Sequence, residues 1–262
     1  MASMSMTASM SKAFRDTGLL TQRRLVQTVR NPLWLIVSFS TPVLYLALFT
    51  PLLKGISTGH PSNGQVLGVF LPGILALLAF INGSSMGFAT IFELQSGLIE
   101  RFRVTPASRL AILLGPILAG LIGMFVFDAV VLLAGWAFGY RIHWLGLLVL
   151  AVLLALLMIT FAAFSIAVAL LAKEISSFAA LINGINLPLL LLAGVLVPIA
   201  YGPLWLRVLA HINPLYYLVE AARSLGRGVV SSSQVGLAFA VLVPLCTITL
   251  IWATGVFRRA VA

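Results

Sequence analysis

The sequence has too few charged residues to cover the surface of a water-soluble domain. Charged side chains make up 8% of the 262 residues, whereas a soluble globular domain carries roughly 25%. Apolar residues supply 61% of the chain, and the mean hydropathy is +1.13. This composition predicts a bilayer as the solvent, since about 20 apolar residues suffice for one membrane span. The single cysteine, Cys246, lies within an apolar run, which excludes a disulfide framework within the chain.

The motifs of common enzyme chemistry are also missing. The sequence contains no GxxxxGK(S/T) phosphate-binding loop, so the chain does not bind ATP by that device. Its three histidines, His60, His143 and His211, are far apart, and no metal-ligand spacing or nucleophile–base pair accompanies them. We therefore predict no catalytic residues, no metal site and no cofactor bound by this chain.

Acidic residues are scarce as well. Six acids stand against sixteen lysines and arginines, which gives a formal net charge of +10. The basic residues flank the apolar runs instead of gathering on one domain, which argues against a nucleic-acid partner. Flanking basic charges instead set membrane topology, because cytoplasmic loops carry an excess of Lys and Arg.

The apolar residues fall into six segments long enough to span a membrane. We predict an all-α, polytopic protein with an amino-terminal tail (residues 1–31), a transmembrane domain (32–257) and a short tail (258–262). With six spans both termini share one side, where eleven of the sixteen basic residues lie, so both termini are predicted to be cytoplasmic. The six segments are residues 32–53, 66–92, 110–139, 144–172, 178–198 and 235–257.

Residues 1–31 carry an amphipathic pattern. We interpret it as a helix that lies on the inner leaflet; the alternative of a disordered tail fits residues 1–10 best. Leu20 and Arg15 do not follow the pattern. On a helical wheel one side holds Phe14, Leu19, Leu25, Val26 and Val29. The opposite side holds Lys12, Asp16, Arg23, Gln27 and Arg30.

The connection at residues 93–109 is an interrupted, charged stretch between the second and third segments. A helix from Glu93 to Arg103 would align charged residues and one glycine on a single face, since they follow at three- and four-residue spacing. The glycine would allow close approach to a partner surface, and Pro106 would end the helix. Such a stiff element would suit coupling to an ATPase; the alternative is a solvated loop with internal ion pairs. The aligned residues are Glu93, Gly97, Glu100 and Arg101.

The connection at residues 199–234 is too apolar for an ordinary loop. Pro203 and Pro214 interrupt it, and proline ends helices because it lacks an amide hydrogen. We expect two short helices that dip into the outer leaflet and return. Backbone of this kind is tolerated at membrane depth only where protein buries it or it lines a wet cavity.

Both connections resemble motifs of ABC type-2 transporter permeases. In the 93–109 segment that family repeats an acid, a glycine, an acid–arginine pair and a Thr-Pro step; Gln95 departs from the further acid often found there. In the outer segment Asn-Pro-Leu-x-Tyr is followed by acid-Ala-x-Arg. The matching residues are Glu93, Gly97, Glu100, Arg101, Thr105 and Pro106, then Asn213, Pro214, Leu215, Tyr217, Glu220, Ala221 and Arg223.

The resemblance implies a homo- or heterodimer of permeases in a bacterial cell membrane, with two cytoplasmic ATPase subunits that bind ATP and Mg²⁺. The 93–109 segment, including Arg103, would contact the ATPases together with Phe14, Arg23 and Arg24 of the amino-terminal helix. The outer helices would cap the translocation path. Within this family the sequence looks most like daunorubicin-resistance permeases, and our hypothesis is outward transport of an amphipathic drug or antibiotic, or of a lipid-like compound.

Other functions remain open at this point. Lipo-oligosaccharide and polysaccharide exporters have similar lengths, so the resemblance does not give the cargo. A secondary transporter driven by an ion gradient usually shows internal repeats, and no convincing repeat relates the two halves. A membrane anchor or assembly subunit without transport is a further alternative.

A few polar residues lie within the predicted spans. Asp128 is the only acid deep in a span, which favours a functional role, although a structural hydrogen bond is the stronger alternative. Amide side chains are more often packing contacts between helices than pore linings. Glycine rows such as Gly83-xxx-Gly87 are explained by packing within one subunit. The candidate residues of a translocation path are Asn82, Asp128, Asn183 and Asn186.

Overall fold

The computed structural model describes residues 2–33, 63–97, 109–195 and 202–260, together with single positions between 36 and 51 and at 199. Within these ranges the chain is almost entirely helical and contains no β-strand. The helices are α1 (Ala2–Val29), α2 (Asn63–Gln95), α3 (Arg109–Ala137), α4 (Trp144–Ala172), α5 (Ile175–Leu192), α6 (Leu204–Ala210), α7 (Pro214–Gly226) and α8 (Ser233–Ala260).

Five helices in this part of the chain are long and apolar enough to cross a membrane. They match the second to sixth predicted segments, although α5 ends at Leu192, before the predicted 198, because Gly194 turns the chain with a φ of 67°. Of the first predicted segment, 32–53, twelve of the 22 positions are described, and each of these is helical; the positions between them lie outside the described residues. The spanning portions are Val66–Gln95, Ile112–Ala137, Trp144–Ala172, Ile175–Leu192 and Ser233–Arg259.

The packing of α2 against α4 forms the centre of the bundle. A Cβ atom at Gly83 would lie 2.8 Å from the Met158 carbonyl oxygen, so the two backbones approach closely only because residue 83 has no side chain. Nearby, the rings of Phe80 and Phe161 meet edge to face with centroids 4.6 Å apart. The Gly83 position therefore serves packing within the chain, as the sequence predicts.

Helix α1 packs against α3 with a face different from its apolar stripe. Leu20 and Thr21 contact Gly115, whose carbonyl oxygen accepts a hydrogen bond from Thr21 Oγ1 at 3.3 Å. Leu19 and Val29 of the apolar stripe are 59% and 66% exposed, whereas Leu25 is half-buried beside α2 and α3. Leu20 departs from the stripe because it belongs to the face that packs on protein.

The start of α1 corrects one expectation. Residues 1–10 fit a disordered tail by sequence, yet the helix begins at Ala2. Alanine and methionine are abundant in this stretch and both favour helix, which gives the local reason for the difference.

The bundle has two ends that differ in construction. The α1 end holds α1, the last turn of α2 and the start of α3. At the opposite end, which we call the far end, α7 packs against α2, α4 and α8. There a Cβ at Gly146 would lie 2.6 Å from the Leu225 carbonyl oxygen, so α7 sits close against the start of α4.

Candidate functional site

The α1 end contains an ion pair between two of the predicted coupling residues. Arg24 Nη2 of α1 lies 2.6 Å from Glu93 Oε1 in the last turn of α2. The two side chains are 24% and 22% exposed, so water reaches both partners. Arg23 also acts electrostatically on the Glu93 carboxylate. This contact joins the amino-terminal helix to the end of a span immediately before the segment that resembles the coupling region.

The chain after Glu93 does not continue as one helix. Helix α2 ends at Gln95, and Gly97 has a φ of 68°. Its amide donates to the Leu94 carbonyl oxygen at 3.2 Å, which is how a glycine in the left-handed region closes a helix end. The predicted helix from Glu93 to Arg103 is therefore wrong at its start. Gly97 ends helix α2, whereas the sequence pattern placed it within a helix as a point of close approach to a partner.

Several predicted coupling residues lie outside the described part of the chain. For Phe14 the backbone is helical, but its side chain is among those not described. The predicted coupling residues whose backbone is also not described are Glu100, Arg101, Arg103, Thr105 and Pro106.

At the far end, Asn213 connects α7 to the end of α5. Its Oδ1 accepts a hydrogen bond from the Leu215 amide at 3.0 Å, which caps the first turn of α7. Its Nδ2 donates to the Leu189 carbonyl oxygen at 2.6 Å. Pro214 takes the first helical position, where the missing amide hydrogen is not needed. The Asn-Pro pair thus starts a helix and fixes its position against a span.

Arg223, nearly three turns further along α7, makes a second connection to the same place. Its Nη2 donates to the carbonyl oxygens of Gly194 and Val195. Its Nη1 lies 2.7 Å from Glu220 Oε1. The guanidinium is buried, with Arg223 only 5% exposed. Asn213 and Arg223 therefore bind the carboxyl-terminal end of α5 from two points of one short helix, an arrangement we call the far-end clamp.

Tyr217 connects the first turns of α7 to the residues before Asn213. Its hydroxyl donates to the His211 carbonyl oxygen at 2.8 Å, and its ring meets that of Tyr216 at a centroid distance of 5.6 Å. These contacts fix the link between α6 and α7. All seven residues that match the outer motif thus lie in α7 or at its cap.

Asp128 lies on the buried face of α3 between Met124 and Val131 and is 4% exposed. Neither of its carboxyl oxygens has a hydrogen-bond partner among the described residues. The backbone hydrogen bond considered from the sequence is therefore not observed there. Among all the described residues, no three His, Cys, Asp or Glu side chains come together in a group that could bind a metal ion.

The three asparagines proposed for a path lie in different settings. Asn82 donates to the Leu78 carbonyl oxygen of its own helix at 2.9 Å and lines a cavity beside α1. Asn183 is exposed and Asn186 is half-buried on α5. Only Phe178 and Ile182 of α5 are buried, and Leu189 and Leu190 are partly buried against the core of the bundle.

Sequence reasoning missed the side chains that hold neighbouring helices together. Ser165 Oγ of α4 donates to the Ser84 carbonyl oxygen and accepts from the Gly87 amide. The packing of Leu20 on Gly115 was also missed, because in the sequence Leu20 is only an exception to the amphipathic pattern of α1. A polar residue within a hydrophobic span, or an apolar residue on a polar face, was the available signal in each case.

Comparison with known proteins matches this architecture to one family. The model of the ABC-2 type transporter family matches residues 15–226. The chain is 32% identical over 211 residues to the putative transport permease ycf38 of Cyanophora paradoxa, covering 79% of this chain and 72% of that protein. It is 26% identical over 214 residues to the daunorubicin resistance ABC transporter permease protein DrrB1 of Streptomyces coeruleorubidus, covering 80% and 74%. The chain therefore belongs to the ABC-2 type transporter family.

Proposed function

We propose that this chain is the permease subunit of an ATP-driven exporter whose ATPase resides on separate polypeptides. In this proposal it crosses a bacterial cell membrane six times with both termini in the cytoplasm. It works with a second permease subunit and two cytoplasmic ATPase subunits, which bind ATP and Mg²⁺. Membership of the ABC-2 type transporter family and the lack of a phosphate-binding loop in the sequence support this division of labour.

The observation that carries the proposal is the Arg24–Glu93 ion pair. It ties α1 to the last turn of α2, so a force applied to α1 or to the 93–109 segment reaches the most buried span directly. Gly97, in the left-handed region, provides a bend between that span and the segment that follows. We infer that an ATPase docked against α1 and residues 93–109 moves the two elements together.

The far-end clamp supports a role for α6 and α7 as the outer cap of the path. Both short helices lie between two candidate spans, and α6 exposes apolar side chains such as Leu204 and Trp205. Apolar side chains at this level favour insertion into the outer leaflet. We infer that the two helices re-enter the membrane from outside and move with the end of α5.

For the cargo we propose an amphipathic drug or lipid-like compound that moves outward. The support is the name of one relative, a daunorubicin resistance permease, at 26% identity. The name of the ycf38 relative specifies transport without a cargo.

The experiment begins with co-purification of the ATPase partner from the native membrane and reconstitution of the complex in liposomes. We expect ATP-dependent movement of daunorubicin across the bilayer. Arg24→Glu and Glu93→Arg should each reduce drug-stimulated ATP hydrolysis, and the double exchange should restore it, because it rebuilds the ion pair with its charges reversed. Transport by the purified chain alone, driven by an ion gradient, would contradict the proposal.

A further inference from the structure

A cavity of about 360 Å³ lies between α1, α2 and α3. Its volume falls within the range of roughly 300–1,000 Å³ that small-molecule sites occupy. Arg24 and Thr28 line it from α1, Asn82 and Ser85 from α2, and Gly123 from α3. These helices come from separate parts of the sequence, so the cavity is a product of their packing and not of one local motif.

The cavity has a polar mouth and a mostly apolar interior. Arg24 marks the mouth, because it pairs with Glu93 in the last turn of α2. On α3 the lining runs from Pro116 to Phe127, eleven residues or roughly 16 Å along the axis at 1.5 Å per residue. Apolar side chains, including those of Met86 and Phe127, line the cavity over this length. The cavity is therefore about half as long as a hydrocarbon layer of ~30 Å is thick.

Positive charge predominates among the described residues at the mouth. Two guanidinium groups, those of Arg23 and Arg24, lie near one carboxylate, that of Glu93. A second, smaller hollow lined by Arg23, Arg24 and Glu93 adjoins the mouth and shares Pro116 with the main cavity. A group that accepts hydrogen bonds and carries one negative charge complements this arrangement, since guanidinium binds such oxygens in a fixed fork.

From this geometry we propose that the cavity binds an anionic amphipath, with its charged head at Arg23 and Arg24 and one apolar chain between α2 and α3. The ligand comes either from the surrounding leaflet, as an anionic lipid, or from solution, as a single-chain amphipath; the chemistry recognised is the same. Binding would fill the space beside the Arg24–Glu93 pair and so stabilise the contact of α1 with the bundle. The site requires no ATPase and is independent of the exporter proposal.

The cavity is filled selectively by a substitution at Gly123. A Cβ atom there meets no heavy atom within 4 Å, so the side chain introduced by Gly123→Leu can occupy the cavity without a backbone clash. Gly255→Leu is the matched control, because Gly255 of α8 also has open space around its Cβ and does not line the cavity. Ser85→Leu fills the cavity from the opposite wall and serves as a second variant if Gly123→Leu does not fold.

The test uses the purified full chain in nanodiscs that contain equal amounts of phosphatidylglycerol and phosphatidylcholine. Retained lipid is counted by native mass spectrometry, and dodecyl phosphate is titrated in a separate arm. We expect the wild type and Gly255→Leu to retain phosphatidylglycerol, dodecyl phosphate or both in preference to phosphatidylcholine. Gly123→Leu should bind about tenfold less, equivalent to a loss of about 1.4 kcal/mol.

Each outcome decides one part of the proposal. Retention of phosphatidylglycerol identifies a lipid source, and retention of dodecyl phosphate alone identifies a soluble amphipath; both support the site. Equal retention of phosphatidylcholine would overturn the assignment of an anionic head. Unchanged binding in both cavity-filling variants would overturn the location. Because no ATPase is present, neither result depends on whether the chain is an exporter subunit.

Discussion

The contact of α1 with α2 and the contact of α7 with α5 use different kinds of polar group. At the α1 end one ion pair joins two side chains, Arg24 and Glu93, and both are about one-quarter exposed. At the far end Asn213 and Arg223 bind backbone carbonyl oxygens at the end of α5, and both residues are almost fully buried. A water-accessible pair of side chains is easily separated, whereas a buried guanidinium bonded to backbone is not.

This difference indicates which end is suited to movement. Breaking the Arg24–Glu93 pair exposes two charged groups to water, which solvates them at little cost. Withdrawing Arg223 from the α5 end would leave a buried charge and two carbonyl groups without partners. We therefore expect the α1 end to adjust more readily than the far end during transport, while α7 and the end of α5 move as one unit.

The largest expected effect comes from breaking the far-end clamp with Arg223→Met. The variant removes the bonds to the Gly194 and Val195 carbonyls and leaves Glu220 without its partner. We expect a loss of about 3 kcal/mol in the free energy of unfolding, as for other broken buried pairs, measured by denaturation in mixed micelles. Arg227→Gln is the control, because Arg227 is exposed at the carboxyl-terminal cap of the same helix. Equal stability of the two variants would remove the basis of the comparison.

A smaller effect is expected at Asn213. Asn213→Ala loses both the cap on α7 and the bond to the Leu189 carbonyl, so unfolding should become easier by about 1–2 kcal/mol. Asn213→Asp keeps the acceptor for the Leu215 amide but has no Nδ2 donor. Comparing the two variants in the same unfolding assay separates the cap from the link to α5. A result in which Asp equals wild type would show that the link contributes nothing.

Asp128 provides a third case for comparison with the two ends, because it is buried and makes no described hydrogen bond. Its carboxyl oxygens have no partner among the described residues, so Asp128→Leu should raise the free energy of unfolding by about 1 kcal/mol. Asp128→Asn keeps the polar shape and is the matched control. A fall in stability for the Leu variant would indicate a partner for the carboxyl group. Lower transport combined with higher stability would support the proposed role in the path.

The smallest effect on stability is expected at the α1 end. Arg24→Gln should change the free energy of unfolding by less than about 1 kcal/mol, as is typical of partly exposed ion pairs. The difference from wild type should shrink further at high salt, since ions screen exposed charges. The measurement is a pair of unfolding curves at low and high salt. A loss as large as that of Arg223→Met would mean that the two ends are equally rigid.

Local sequence signals predicted the helices better than their partners. Pro203 and Pro214 placed the breaks around α6 and α7, and both prolines lie at helix starts. The pattern at Glu93 and Gly97 was instead assigned to one helix, because three- and four-residue spacing does not reveal a left-handed glycine. The Arg24–Glu93 pair was not predicted either, since its two residues lie 69 positions apart and no local rule connects them.

The sequence by itself determined that the surroundings of this protein are a lipid bilayer, that its fold is helical, and roughly where five long apolar helices lie. Those features follow from composition and from the length of apolar runs, which act over about 20 neighbouring residues. Tertiary structure decided which polar groups meet. It brought Arg223 to the end of α5, Leu20 to Gly115, and left Asp128 without a described partner. The physical reason is that hydrogen bonds and ion pairs act only over a few ångströms, so they depend on how distant segments pack.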